Sequence, residues 1–251
     1  MTTNSSQRKA EEVEFWDKVG RKRLYAAFDR QEYIDVIDST VGVDLDGMFV
    51  VDIGCAAGLT SALFAARGAT VHGVDISPEL IARAAESWPE FKSRLTFGVG
   101  DAEALGFDDN TVDACFFGGV LHHFPDLQKT LEEALRVLRP GGRLIAVEPN
   151  RLDLLERIEW AVADLRGLLS PNEYPIDPRV MRQELKEAGF SQVRFWTIRR
   201  DIPVLAQIPL LGRAFNRQKG FWLKRPLLRF VDAWRAPEAR GTFFVIEAIK
   251  A

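Results

Sequence analysis

The chain has little cysteine: two residues in 251, Cys55 and Cys115. Neither belongs to a C-x-x-C pair or a Cys/His cluster. A disulfide framework and a cysteine-held metal are therefore excluded, and both read as reduced structural thiols of a cytosolic protein with no metal. No apolar run approaches the roughly 18 residues that span a bilayer. The opening MTTNSSQRKAEEVEF is polar and has no apolar signal core. Strong charge of one sign is missing as well; the formal net charge is −3, which gives no reason to expect nucleic-acid binding. Repeats and low-complexity stretches are absent. What is present is 47% hydrophobic and 27% charged residues, enough for the core of one α/β domain with insertions. The charge is uneven: residues 1–150 carry 15 basic and 24 acidic side chains, residues 151–251 carry 18 and 12. That asymmetry points to a partner on the surface of the second part.

One more absence is informative. Residues 50–58 read Val-Val-Asp-Ile-Gly-Cys-Ala-Ala-Gly. The apolar Val50, Val51 and Ile53 suit a buried parallel strand. A glycine-containing turn runs from Gly54 to Gly58, and Leu59 to Ala66 reads as a helix. Strand, tight turn and helix form the nucleotide-cofactor half of a doubly wound sheet. A dinucleotide site needs G-x-G-x-x-G, so that backbone can approach a pyrophosphate. Here the third and fourth turn positions are Ala56 and Ala57, and that pattern is missing. Asp52 precedes the turn. A second strand, 69–74, ends at Asp75, 21 positions after Gly54, near the ~20-residue offset of a carboxylate that holds a ribose diol. Ser77-Pro78 supplies an N-cap and first position for the next helix.

D-x-G-x-x-x-G with these neighbours resembles motif I of the class I S-adenosylmethionine (SAM) methyltransferases, whose members mostly carry glycine where Ala56 stands. Later segments extend the resemblance. A third strand, 95–99, leads to Gly100-Asp101-Ala102-Glu103, and the resemblance implies that Asp101 faces the adenine amino group. A fourth strand, 112–117, is followed by Gly118-Gly119-Val120-Leu121-His122-His123-Phe124-Pro125-Asp126. Leu138-Arg139-Pro140-Gly141-Gly142-Arg143-Leu144 marks a helix end, a turn and a fifth strand. The likeness is strong over 47–150 and weak over 178–199 and 241–250. It implies a Rossmann-like seven-stranded α/β fold and SAM as cofactor, with S-adenosylhomocysteine as product. The cofactor residues it implies are Asp52, Gly54, Ala56, Gly58, Asp75, Ile76, Asp101, Ala102 and Gly118.

The expected layout has three parts: N-terminal cap helices over 1–46, a SAM-binding core over 47–150, and a C-terminal part over 151–251 of the same domain. Residues 1–7 are expected to be disordered, and residues 8–40 to form two helices broken near Gly20. Trp16 and Tyr25 are read first as core packing, with the cofactor cleft as the alternative. Helices are predicted over 152–168 and 178–188, the second ended by Gly189. Strands at 192–198 and 242–249 are expected to pair as a hairpin, yet about 40 residues intervene, far beyond a hairpin loop of ~2–5. That insertion mixes apolar residues with basic ones across 199–235, a composition suited to added helices or to membrane-surface contact. The expected location is cytoplasmic, with peripheral membrane contact through 199–235 as a further expectation.

Methyl transfer needs little covalent chemistry from a protein, because the sulfonium already makes the methyl electrophilic. A hydroxyl acceptor also needs a base. His122, just past the fourth strand, is the candidate base, with Glu148 and Asn150 at the fifth strand's end as weaker contacts and Tyr174 as a loop residue within reach. The same histidine is read equally well as packing; His123 and His72 are read as structural. The favoured function is methylation of a small or lipid-like acceptor, with oxygen preferred. Two rivals are a SAM-binding regulatory partner without turnover and a nicotinamide-dependent reductase, the second disfavoured by Ala56. No N-P-P-[YF] or D-P-P-[YF] tetrapeptide follows the fourth strand, so a nucleic-acid base is not the expected acceptor.

Overall fold

Alternating apolar residues in the central strands build a sheet buried on both faces. The structure, a computed structural model, describes residues 5–22, 30–124, 126–198, 239 and 241–251. Tyr25 and the segment 199–240 apart from Ala239 lie outside the described residues, and with them the basic and apolar positions of 199–235. The strands are β1 (Phe49–Ile53), β2 (Thr70–Asp75), β3 (Leu95–Val99), β4 (Val112–Gly118), β5 (Leu138–Pro149), β6 (Phe190–Ile198) and β7 (Phe243–Lys250). They form one seven-stranded sheet in the order β3-β2-β1-β4-β5-β7-β6. The first five are parallel, and β7 runs antiparallel between β5 and β6. The expected pairing of the last two strands is therefore observed.

The helices are α1 (Ser5–Lys22), α2 (Arg30–Thr40), α3 (Leu59–Ala65), α4 (Pro78–Ser87), α5 (Leu127–Val137), α6 (Leu154–Leu165) and α7 (Pro178–Glu187). On one face Val50, Ala114, Phe116, Ile145 and Val147 pack against α2 and α3. On the other, Val51, Ile53, Cys115, Phe117, Leu144 and Ala146 pack with Leu131, Ala134, Met181 and Leu185 of α5 and α7. The period of two along each strand separates these layers. Cys55 and Cys115 are free and buried, and burial pushes both thiols up, which keeps them unreactive.

Local chemistry explains the ends of the elements. Leu80 N–H donates to Ser77 Oγ at 3.2 Å and Pro78 opens α4, as the sequence predicts. Gly189, at φ +104°, follows the last residues of α7 in the left-handed conformation. Three expectations change. Residues 5–7 are helical, not disordered, because α1 starts at Ser5. Helix α1 also runs through Gly20 to Lys22, so the chain does not break at Gly20. Strand β5 begins at Leu138, which pairs with Val112; the Pro140-Gly141-Gly142 run is a bulge within the strand before Arg143 pairs with Ala114.

Candidate active site

The strand order reverses between β1 and β4, and the carboxyl ends of β1 to β4 open a crevice there. Open α/β sheets bind ligands at such a switch point. The cleft encloses about 880 Å³ including its solvent-open mouth. Its floor is Ile53, Gly54 and Ala56 after β1, Val74 to Ile76 after β2, Gly100 to Glu103 after β3, and Gly119 and Val120 after β4. Helix α1 forms the roof with Ser5, Arg8, Lys9, Glu12 and Trp16, and His123, Phe124 and Asn172 close one end.

The turn after β1 ties down the N–H groups of Gly54, Cys55, Ala56 and Gly58. Gly54 and Cys55 N–H donate to Val74 O at 2.8 and 3.1 Å, and Gly58 N–H donates to Cys55 O at 2.8 Å. Ala56 N–H donates to Asp75 Oδ2 at 2.9 Å. The indole N–H of Trp88 clamps the loop through Ala57 O at 2.9 Å. A Cβ on Gly54 would stand 2.4 Å from Val120, and one on Gly58 would stand 2.6 Å from Phe97. Both glycines have positive φ, and so does Ala56 at +48°, where glycine is the usual residue.

Two carboxylates lie beneath this loop. Asp52 accepts from Thr60 Oγ1 at 2.6 Å and Ser61 Oγ at 2.5 Å, while its Oδ1 is buried without a partner. Asp75 accepts from Ala56 N–H through one oxygen and from Ser77 N–H through the other, each at 2.9 Å. Burial pushes both up to about 6, although the hydrogen bonds they accept oppose it. A loop whose N–H groups at Gly54, Cys55, Ala56 and Gly58 are occupied, above two buried acids, disfavours a pyrophosphate and suits a ligand bearing hydroxyls and positive charge. The orphaned Oδ1 and the open lone pairs of Asp75 fit SAM in that respect.

The third strand's acids meet the roof. Lys9 Nζ donates to Asp101 Oδ2 at 2.5 Å and to Glu103 Oε2 at 2.8 Å. Asp17, farther along α1, accepts from Ser77 Oγ in a short bond and from Glu79 N–H at 3.2 Å. Arg83 donates to Gly20 O at 2.7 Å. These contacts latch α1 across the cleft.

Beyond β4, Glu148 is fully buried. Its Oε1 accepts from Val120 and Leu121 N–H at 3.0 and 2.8 Å, and its Oε2 meets His122 Nδ1 at 2.7 Å. His122 Nε2 faces Glu173 Oε1 at 3.4 Å. Burial pulls the His122 imidazolium down, but the two carboxylates outweigh it and raise it to about 10. His123 Nδ1 lies 3.1 Å from Ser170 Oγ and 3.4 Å from Glu12 Oε2, and its ring stands edge-on to Trp16.

Of the residues singled out from sequence, Gly54, Ala56, Asp75, Ile76, Asp101 and Ala102 line the cleft. Asp52, Gly58, Gly118, His122 and Glu148 do not; they stand behind the lining and shape it. In place of Gly118, whose carbonyl accepts from Tyr33 OH at 3.3 Å, Gly119 borders the cleft. The candidate base His122 has both nitrogens facing carboxylates, Nδ1 toward Glu148 and Nε2 toward Glu173. Glu148 anchors the loop through the N–H groups of Val120 and Leu121. Asn150 is also structural: its Nδ2 donates to Gly241 O at 3.0 Å and its Oδ1 accepts from Leu152 N–H at 3.0 Å. Tyr174 donates to Phe124 O from outside the lining. His123 and Trp16, read first as structure, line the cleft. Lys9, Glu12 and Asn172 were missed, because their place follows from packing between segments far apart in the chain. The one signal available was charged residues on a predicted cap helix.

Residues 51–146 match the family described as a methyltransferase domain. Demethylmenaquinone methyltransferase of Symbiobacterium thermophilum is 34% identical over 178 residues, covering 59% of this chain and 70% of that protein. The chain belongs to the class I SAM-dependent methyltransferases. Among its relatives in that family is 2-methyl-6-phytyl-1,4-hydroquinone methyltransferase of Synechocystis sp., 29% identical over 195 residues and 75% of this chain. The chain spans 61% of the length of that relative. The same methyltransferase fold recurs in phosphoethanolamine N-methyltransferase 2 of Haemonchus contortus, solved with S-adenosylhomocysteine. The two share 21% identity at a TM-score of 0.61, with 88% of this chain and 53% of that chain covered. Among the described residues no helix is long and apolar enough to cross a membrane.

Proposed function

We propose that this methyltransferase moves the methyl group of SAM to a hydroxyl of a phenol or hydroquinone that carries an apolar tail. The observation that carries the reading is the cleft itself: two buried carboxylates under a turn with occupied N–H groups, at the switch point of the sheet. Asp75 accepts the ribose hydroxyls, and Asp52 draws the positively charged end of the cofactor toward the turn. Ile76 and Ala102 supply apolar walls for the adenine, and Asp101 accepts from its amino group once Lys9 turns away. SAM supplies the electrophilic methyl when bound. The chain's part is to hold the acceptor oxygen in line at about 3–3.5 Å from that methyl and to keep water out under α1.

The opposite end of the cleft suits such an acceptor. Trp16 and Phe124 give aromatic surface, while Glu12, His123 and Asn172 give a polar rim that orients a hydroxyl. The two curated relatives described above are named for acceptors of the quinone and hydroquinone class, which agrees with this division. Association with a membrane surface, where such acceptors reside, is part of the same proposal.

Calorimetry with SAM, S-adenosylhomocysteine and NADPH tests the cofactor, and mass spectrometry of incubations with prenylated hydroquinones tests the acceptor. Binding of the two sulfur compounds alone, with a product heavier by one methylene, is the expected result. Binding of NADPH in preference to SAM overturns the proposal.

A further inference from the structure

The histidines beyond β4 belong to a cluster that the cofactor site does not explain. One ligand atom from each of His122, His123 and Glu173 lies within 4.8 Å of the others. We propose that these three residues bind a first-row divalent cation of the zinc class, and that its open position faces the acceptor end of the cleft. The proposal rests on the methyltransferase reading for its purpose, not for its geometry.

The spacing suits such an ion. Bonds of about 2.0–2.1 Å in a tetrahedron place ligand atoms about 3.4 Å apart. His122 Nε2 and Glu173 Oε1 already stand 3.4 Å apart. His123 closes the remaining distance by a small ring shift, since its ring centroid lies 4.2 Å from that of His122.

The supporting shell is the stronger argument. A metal-bound histidine usually gives its rear nitrogen to a carboxylate or carbonyl, which fixes the ring. Glu148 holds His122 Nδ1 at 2.7 Å, and Glu148 is itself held by two backbone N–H groups. Ser170 N–H donates to Glu173 Oε2 at 2.7 Å, which leaves Oε1 turned toward His122. Tyr174 N–H donates to His122 O at 3.1 Å and fastens the loop of Glu173 to the loop of the histidines. Glu12 Oε2, 3.4 Å from His123 Nδ1, adds a further oxygen at the edge of the cleft. The cation would sit between His122 Nε2 and Glu173 Oε1, and the fourth position would take an oxygen ligand. His123 and Glu12 both line the cleft, so an acceptor hydroxyl reaches that position. Metal coordination acidifies a bound hydroxyl, which is the chemistry the site would supply.

The test uses the full-length, tag-free chain, stripped with a chelator and dialysed. Zinc is titrated by calorimetry while the imidazole signals are followed by NMR. The chain has three histidines, and His72, in β2, is the internal control. We expect one equivalent of zinc to bind at micromolar Kd or tighter and to shift two imidazole signals while leaving that of His72 in place. Glu173→Gln, and separately His123→Ala, weaken binding at least about a hundredfold, beyond the usual loss from an outer partner. Absence of zinc binding, or shifts that leave His122 and His123 untouched, overturns the proposal even if neither variant folds. SAM titrations on the same sample separate the two ideas. Zinc binding without SAM binding sinks the function above and leaves the cation site standing; the reverse sinks the cation alone.

Discussion

Replacing Asp75 by alanine separates cofactor recognition from folding, because the two effects differ in size. The carboxylate accepts one backbone N–H on each oxygen at 2.9 Å, so each oxygen keeps lone-pair capacity for a ribose hydroxyl. Hydrogen bonds to a charged group contribute about 1.5–3 kcal/mol each, and two of them about 3–6. The loss of both weakens SAM binding by at least about a hundredfold. Folding changes less. The native carboxyl is raised from 3.8 to about 6 by burial, which costs about 3 kcal/mol of stability at neutral pH. Alanine removes that cost but leaves the N–H groups of Ala56 and Ser77 without their acceptor, at about 1–3 kcal/mol each. These terms nearly cancel, and the net change lies within about 2–3 kcal/mol of zero. Calorimetric titration gives the affinity, and urea unfolding of the free protein gives the stability. A variant that folds and binds SAM with unchanged Kd refutes the assignment of Asp75 to the ribose.

Four further outcomes are expected. Asp75 is raised in the free protein, so its contribution to stability is present below about pH 4 and is lost as pH rises through about 6; ribose hydroxyls favour the ionised form, so SAM affinity falls as pH drops below about 6, by up to about tenfold per pH unit. Fluorescence titrations at about pH 5 and about pH 7.5 check this, and equal affinities would contradict the buried-acid account. Lys9→Ala unlatches α1 from Asp101 and Glu103, so SAM associates faster in stopped flow while stability changes by less than about 1 kcal/mol, as for a pair that is partly exposed; slower association would mean that Lys9 helps to hold the cofactor. Ala56→Gly relieves a left-handed residue by about 1 kcal/mol, partly offset by about 0.4–1 kcal/mol of added freedom in the unfolded chain, so the melting temperature is unchanged or slightly higher. Gly54→Ala, by contrast, drives a Cβ to 2.4 Å from Val120 and lowers the melting temperature clearly.

The legible parts of this molecule are those set by local chemistry. Apolar runs ending in Asp52-Ile53-Gly54 and Val74-Asp75 fix strand ends, because a parallel strand buried on both faces admits few other residues there. Ser77-Pro78 and Gly189 mark helix ends through caps that act over one turn. The turn glycines announce positive φ, and the sequence alone showed that a third glycine is missing at Ala56. Strand β5 was read too short, because Pro140-Gly141-Gly142 has the composition of a turn, and only pairing with Val112 and Ala114 makes it a bulge.

The site divides along the same line. Sequence by itself determined the floor of the cleft, since Gly54, Ala56, Asp75, Ile76, Asp101 and Ala102 sit at strand ends whose order follows from the βα repeat. It did not determine the end lined by Trp16, His123 and Phe124. Two adjacent histidines have the same local chemistry, and only burial against Glu148 and Glu173 turns His122 away while His123 borders the cleft. Lys9 reaches Asp101 across 92 positions of chain, and Ser170 reaches Glu12 across 158. Contacts of that separation arise when a helix docks on a finished sheet, and no pattern within either segment encodes them.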